Sequence, residues 1–140
     1  MSLKHKANGE FSVASWKEED LAGDWSGKRM AKVEAEFSCT GDIDGTFLVI
    51  YYMTYGEETA DPHDRSAQYA GYLAFEGSLH GKTGKFTLQD SGVYREGAPF
   101  SAFSVVHDSG SGELTGLIGH GLYYADGETM KIKLDYEFAG

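Results

Sequence analysis

The sequence is short of the residues that fasten or break a chain. It has one cysteine, Cys39, and two prolines in 140 residues. A single thiol forms no internal disulfide, so the fold must rest on its core, and a reducing, cytoplasmic setting is expected. A chain of this length buries about two-thirds of its unfolded surface and needs no such staple. Bases are scarce as well: 12 Lys and Arg stand against 22 Asp and Glu, a formal charge of −10. That excludes a phosphate-binding surface, and nucleic acid with it, because such affinity is assembled from basic contacts. It argues equally against adsorption to an anionic membrane. The longest strongly apolar run, Phe47–Met53, is far too short for a membrane span. No secretory segment is visible, and no segment has the spacing of a crossover helix, which rules out parallel β-α-β units.

What is abundant is glycine, 19 residues, roughly twice the ordinary ~7% usage. With 14% aromatic residues and so little proline, this is the composition of many short strands joined by glycine turns. Alternation supports it. Met130, Ile132, Leu134, Tyr136 and Phe138 alternate with polar residues, as do Ala31, Val33, Ala35, Phe37 and Cys39, the pattern of a half-buried strand. Further strands are expected at Phe11 and Val13, over 67–79, from Phe86, and over 100–106. Residues 46–55 are apolar or aromatic on both faces, so this strand should be covered on both sides; a second copy of the chain is the expected outer cover. Trp16–Leu21 is expected to form a helical turn, 56–65 a polar loop, and 1–6 a flexible N-terminal segment.

A pentamer orders the strands. Gly-x-(aliphatic)-x-Gly occurs at Gly41–Gly45, Gly77–Gly81 and Gly112–Gly116, with an aromatic variant at Gly23–Gly27. The first glycines are 36, 35 and 18 residues apart, which gives about 18 residues per strand and turn, and about eight strands in 140 residues. Eight antiparallel strands in sequence order predict one closed meander β-barrel, since closure removes exposed edges.

Two longer blocks, Leu79–Gly92 and Val105–Gly119, together with Leu134–Phe138, resemble a bacterial domain-of-unknown-function family that shares the allene oxide cyclase-like barrel. The resemblance implies an eight-stranded meander barrel and no established activity. The family usually carries a histidine where this chain has Asp90. Plant allene oxide cyclases use a similar cavity to steer a fatty-acid epoxide into a cyclopentenone and form trimers, but no motif here lets their site residues be carried over. A rival resemblance, to lipocalins, rests only on Gly23-Asp24-Trp25, and the chain ends on a strand rather than the lipocalin helix.

Few residues suggest chemistry. Alternation from Phe86 and Leu88 places Asp90 on the apolar face, where an unpaired carboxyl would titrate high and act as acid or base. His107 continues the face of Phe103 and Val105, so a hairpin would bring it near Asp90. Both are weak catalytic candidates. Tyr51, Tyr69, Tyr72, Tyr94, Tyr123, Tyr124 and Tyr136 have apolar bodies and polar tips suited to lining a pocket, with Tyr51, Tyr69, Tyr94 and Tyr136 the foremost candidates. Cys39 shares a face with Phe37 and reads as an inert buried thiol. The five histidines show no metal-ligand spacing; neither metal nor cofactor is expected. The expected function is non-enzymatic binding of a small lipophilic molecule in the barrel. The alternatives are an isomerase or cyclase acting in the cavity, and a filled barrel that serves as an interaction module.

Overall fold

In the computed structural model, residues 3–21, 29–56, 66–95 and 98–139 are described. Among these described residues nine strands follow one another: β1 (His5–Asp20), β2 (Met30–Gly41), β3 (Ile43–Tyr55), β4 (Ala67–Leu79), β5 (Lys82–Arg95), β6 (Ala98–Val105), β7 (Ser111–Gly112), β8 (Leu117–Asp126) and β9 (Thr129–Phe138). Each long strand pairs antiparallel with the next, and β9 returns to β1, which closes an eight-stranded meander barrel. The short β7 adds one further pairing, against Gly84 and Lys85 of β5. No described helix is long and apolar enough to cross a membrane.

The expected alternation is present where it was clearest. In β9, Ile132, Leu134 and Tyr136 are buried; in β2, Ala31, Val33, Ala35, Phe37 and Cys39 are buried. Burial pushes the Cys39 thiol up to about 12, which leaves it protonated and inert.

β1 departs from expectation. Residues 16–20 form strand rather than a helical turn, paired with Ala35 to Ala31 of β2. The register slips between Val13 and Ser15. That bulge changes which residues face inward and breaks the alternation the sequence would have to show. Arg29 holds this upper end together, with its guanidinium 2.8 Å from Glu18 and 2.7 Å from Asp20. The chain also enters the barrel early: His5 pairs with Tyr136, so residues 5 and 6 are strand, not a flexible segment.

The three regular pentamers lie at one end of the barrel, at the β2–β3 and β4–β5 turns and just before β8. All six of their glycines have positive φ, from 64° at Gly112 to 158° at Gly77, a region that costs glycine least. Their central aliphatics, Ile43, Leu79 and Leu114, are at most 1% exposed. Each pentamer thus turns the chain and drops one side chain into the barrel floor. The aromatic variant at 23–27 lies outside the described residues. Phe47, Phe75 and Phe86 are fully buried in the same core, Phe75 4.9 Å from Phe47 and 4.7 Å from Phe86 between ring centroids. Burying each such ring contributes about 1.5–3 kcal/mol.

The outer wall has two characters. On β2 and β9 it carries Lys32, Glu34, Glu36, Lys131, Lys133, Asp135 and Glu137. On β3 and β4 the outward residues from Leu48 to Thr54 and from Gln68 to Ala74 include no charge. Leu48, Ile50, Tyr52 and Tyr72 there are 46–59% exposed, and register sets Ile50 beside Tyr72.

Candidate functional site

Two neighbouring rows of register partners build the interior at the end opposite the floor. One runs Tyr51, Gly71, Asp90, Phe103, Gly121 across β3, β4, β5, β6 and β8. The next runs Met53, Tyr69, Gly92, Ser101, Tyr123 across the same strands. Glycines at 71 and 121 in the first row and at 92 in the second give the rings beside them room. A Cβ at Gly92 would stand 2.6 Å from the Ser101 Oγ and 2.8 Å from the Tyr69 hydroxyl. The missing side chain is what lets those two groups meet.

The result is a polar cluster within an apolar interior. Asp90 and Ser101 are the buried polar or charged side chains among the described residues, 2% and 0% exposed. Tyr123 donates its hydroxyl to Asp90 Oδ2 at 2.9 Å. The Tyr51 hydroxyl bonds that of Tyr123, and the Tyr69 hydroxyl bonds Ser101. Asp90 Oδ1 is buried without a hydrogen-bond partner. Loss of water raises the Asp90 carboxyl from 3.8 to about 6, against the opposing pull of the Tyr123 hydrogen bond and of the nearby Tyr51 and Ser101 hydroxyls. Burial, reinforced by the nearby carboxylate, also holds Tyr51 and Tyr123 protonated well beyond the usual phenol range. No group of three metal-ligating side chains occurs among the described residues.

Above the cluster lies a cavity of about 250 Å³, lined by Tyr51, Tyr69 and Tyr123 on the polar side and by side chains such as Phe11, Trp16, Met53 and Met130 elsewhere. Tyr94, Pro99 and Val13 also line it. Asp90 is not among its lining residues: the carboxyl sits behind the tyrosines. A larger groove of about 620 Å³ lies over outward residues such as Ile50, Tyr52, Ala70 and Tyr72. It is a feature of the outer wall rather than the lumen.

Of the residues singled out from sequence, Asp90, Tyr51, Tyr69, Tyr94 and Tyr123 come together here. His107 does not. β6 ends at Val105 and the chain turns at 107–108, with Asp108 at φ 60°. The His107 side chain is 88% exposed and its carboxylate neighbour is Asp108, at 3.3 Å. The pairing of Asp90 with His107 is therefore corrected: Asp90 stands opposite Phe103, and alternation ends before reaching 107. Tyr136 is likewise apart. It packs near the floor, its hydroxyl bonded to His80 in the β4–β5 turn. Ser101, central to the cluster, was not among the candidates. Its only sequence signal was a position two residues from Phe103 on the same inward face.

The fold has a solved counterpart. A protein of unknown function from Shewanella oneidensis MR-1, crystallised as a member of the DUF3224 family, superposes with a TM-score of 0.79 at 24% identity, over 97% of this chain and 98% of that one. No curated protein matches this sequence. The model of the family described as "Protein of unknown function (DUF3224)" matches residues 7–136, and the chain belongs to that family.

Proposed function

We propose that the barrel binds a small, largely apolar molecule in the upper cavity, without chemistry, and that one polar group of this ligand meets the tyrosine hydroxyls. The observation that carries this is the cavity itself: about 250 Å³, apolar over most of its wall, with Tyr51, Tyr69 and Tyr123 in its lining and their hydroxyls in the adjoining polar cluster. An apolar cavity of about 150 Å³ already admits benzene, so a substituted single ring fits. Convergent polar groups in an otherwise apolar pocket are the usual arrangement of a ligand site. The sequence resemblance to the allene oxide cyclase-like barrel is a fold-level analogy that suits a cavity but carries no activity. Acid–base chemistry is the weaker reading, because Asp90 lies behind Tyr51 and Tyr123. The lone buried thiol fits a reducing compartment.

The test is calorimetric titration with propylbenzene, paired with amide chemical-shift mapping. Binding on the order of 0.1 mM is expected, with shifts confined to the cavity strands, and Val13→Trp at the rim should abolish it. No binding, or shifts on the outer wall instead, would remove the proposal.

A second reading concerns the outer wall. The uncharged β3–β4 face, with Leu48, Ile50, Tyr52 and Tyr72 exposed, is where two copies of a chain of charge −10 meet with least repulsion. We propose a homo-oligomer through this face. Sedimentation velocity should show an assembly that Ile50→Lys with Tyr72→Lys converts to monomer. A wild-type monomer at 100 μM or so, well above ordinary working concentrations, would exclude it.

A further inference from the structure

We infer that the ionisation of Asp90 sets the hydrogen-bonding sense of the cavity, so that the site takes a hydroxyl-bearing ligand when Asp90 is charged and a carbonyl-bearing one when it is neutral. The inference rests on the ligand reading above and specifies the class of ligand.

The argument is a count of protons along one chain of groups. A tyrosine hydroxyl has one proton to donate. When Asp90 is a carboxylate it only accepts, so Tyr123 must spend its proton on Oδ2, the 2.9 Å bond. The Tyr51–Tyr123 bond then has one possible donor, Tyr51. Tyr51 lines the cavity, and with its proton turned inward it offers the cavity only oxygen lone pairs. A ligand hydroxyl can donate to them; a ketone cannot.

Protonation reverses the order. The carboxyl proton has two oxygens to choose from. Oδ1 has no partner in reach, and a buried donor left unsatisfied is costly. The proton therefore resides on Oδ2 and points at Tyr123, which must rotate to accept it. Tyr123 then donates to Tyr51, and the Tyr51 proton is released toward the cavity. A ketone oxygen is now welcome there.

The groups facing Asp90 allow this reading. Tyr51 comes from β3, Tyr69 from β4, Ser101 and Phe103 from β6, and Tyr123 from β8; the Ser91 backbone lies beside it on β5. None is a cation or a second carboxylate, and the other described buried polar side chain is Ser101. Tyr69 and Ser101 bond each other and need not take part. Nothing fixes the Asp90 charge from outside, so solution pH does.

Three probes of matched size test it on the intact wild-type protein: 4-ethylphenol, 4-methylacetophenone and propylbenzene. Neither polar probe titrates between pH 5.2 and 8, the two conditions for calorimetry. At pH 8 the phenol should bind about tenfold more tightly than propylbenzene, the gain of one buried hydrogen bond, and the ketone no better than propylbenzene. At pH 5.2 the ketone should gain about tenfold relative to its own value at pH 8. Asp90→Asn and Tyr123→Phe should each remove the pH dependence of the phenol-to-ketone ratio. A wild-type ratio that is the same at both pH values overturns the inference while leaving a cavity that binds. Failure of all three probes, propylbenzene included, overturns the ligand reading itself.

Discussion

Between pH 3 and pH 8 the unfolding free energy of Asp90→Asn should rise by about 3 kcal/mol relative to that of the wild type, about half of it by pH 5. Asparagine matches the neutral carboxyl in shape, removes the charge and keeps an oxygen for Tyr123; its amide nitrogen takes the unpartnered Oδ1 position, a cost of about 1–3 kcal/mol that is the same at every pH. The sign follows from the direction of the shift. Burial raises the Asp90 carboxyl from 3.8 to about 6 in the folded protein. A group raised on folding favours the folded state fully below its unfolded value, and that contribution is lost as pH rises through its folded value. Above pH 6 the wild type therefore carries a buried carboxylate with one oxygen unbonded, and the variant does not. Differential scanning calorimetry of both proteins at several pH values should show the variant's Tm rise relative to the wild type's by roughly 10 °C from acid to alkaline pH. A constant gap across that range would mean that Asp90 is hydrated and unshifted.

Phe75→Ala should lower stability by about 3–5 kcal/mol, the range for a large buried ring truncated to a methyl. Phe75 is 2% exposed and has Phe47 and Phe86 against it, the latter stacked at 30°. All three side chains come from adjacent strands in register, so the barrel cannot shrink onto the gap without breaking ladders. Against a typical total of about 5–15 kcal/mol, this is a large fraction. Urea unfolding should show a lower midpoint with an unchanged slope. A loss under about 1 kcal/mol would indicate a core loose enough to repack, at odds with these ring contacts.

How much of this could be read from the residues depends on whether glycine interrupts the pattern. The pentamer spacing gave eight strands because each copy does one fixed job, a turn plus one plug. Asp90 was placed indoors because Phe86, Leu88 and Asp90 alternate without a break. The resemblance to a domain-of-unknown-function family holds at that level. The bulge in β1 hid the strand at 16–20, because one extra residue exchanges inward and outward positions. β8 hid its inward face for another reason: Gly119 and Gly121 occupy the inward positions before Tyr123, so alternation there has no side chains to show it. The same glycine that blanks the pattern makes space for the ring beside it. A Cβ at Gly121 would lie 2.8 Å from the tip of Phe103. The error at His107 was one of range: alternation was extended two residues beyond the end of its strand, into a turn where it has no meaning.

The floor pentamers, 41–45, 77–81 and 112–116, contribute none of the residues that line the cavity. The part of the chain that seals the barrel and the part that meets a guest are therefore separate in sequence as well as in space. Rim positions such as Val13, Trp16, Tyr94 and Met130 can be randomised together while the seal is left intact, which makes this barrel a scaffold for selecting new small-molecule receptors.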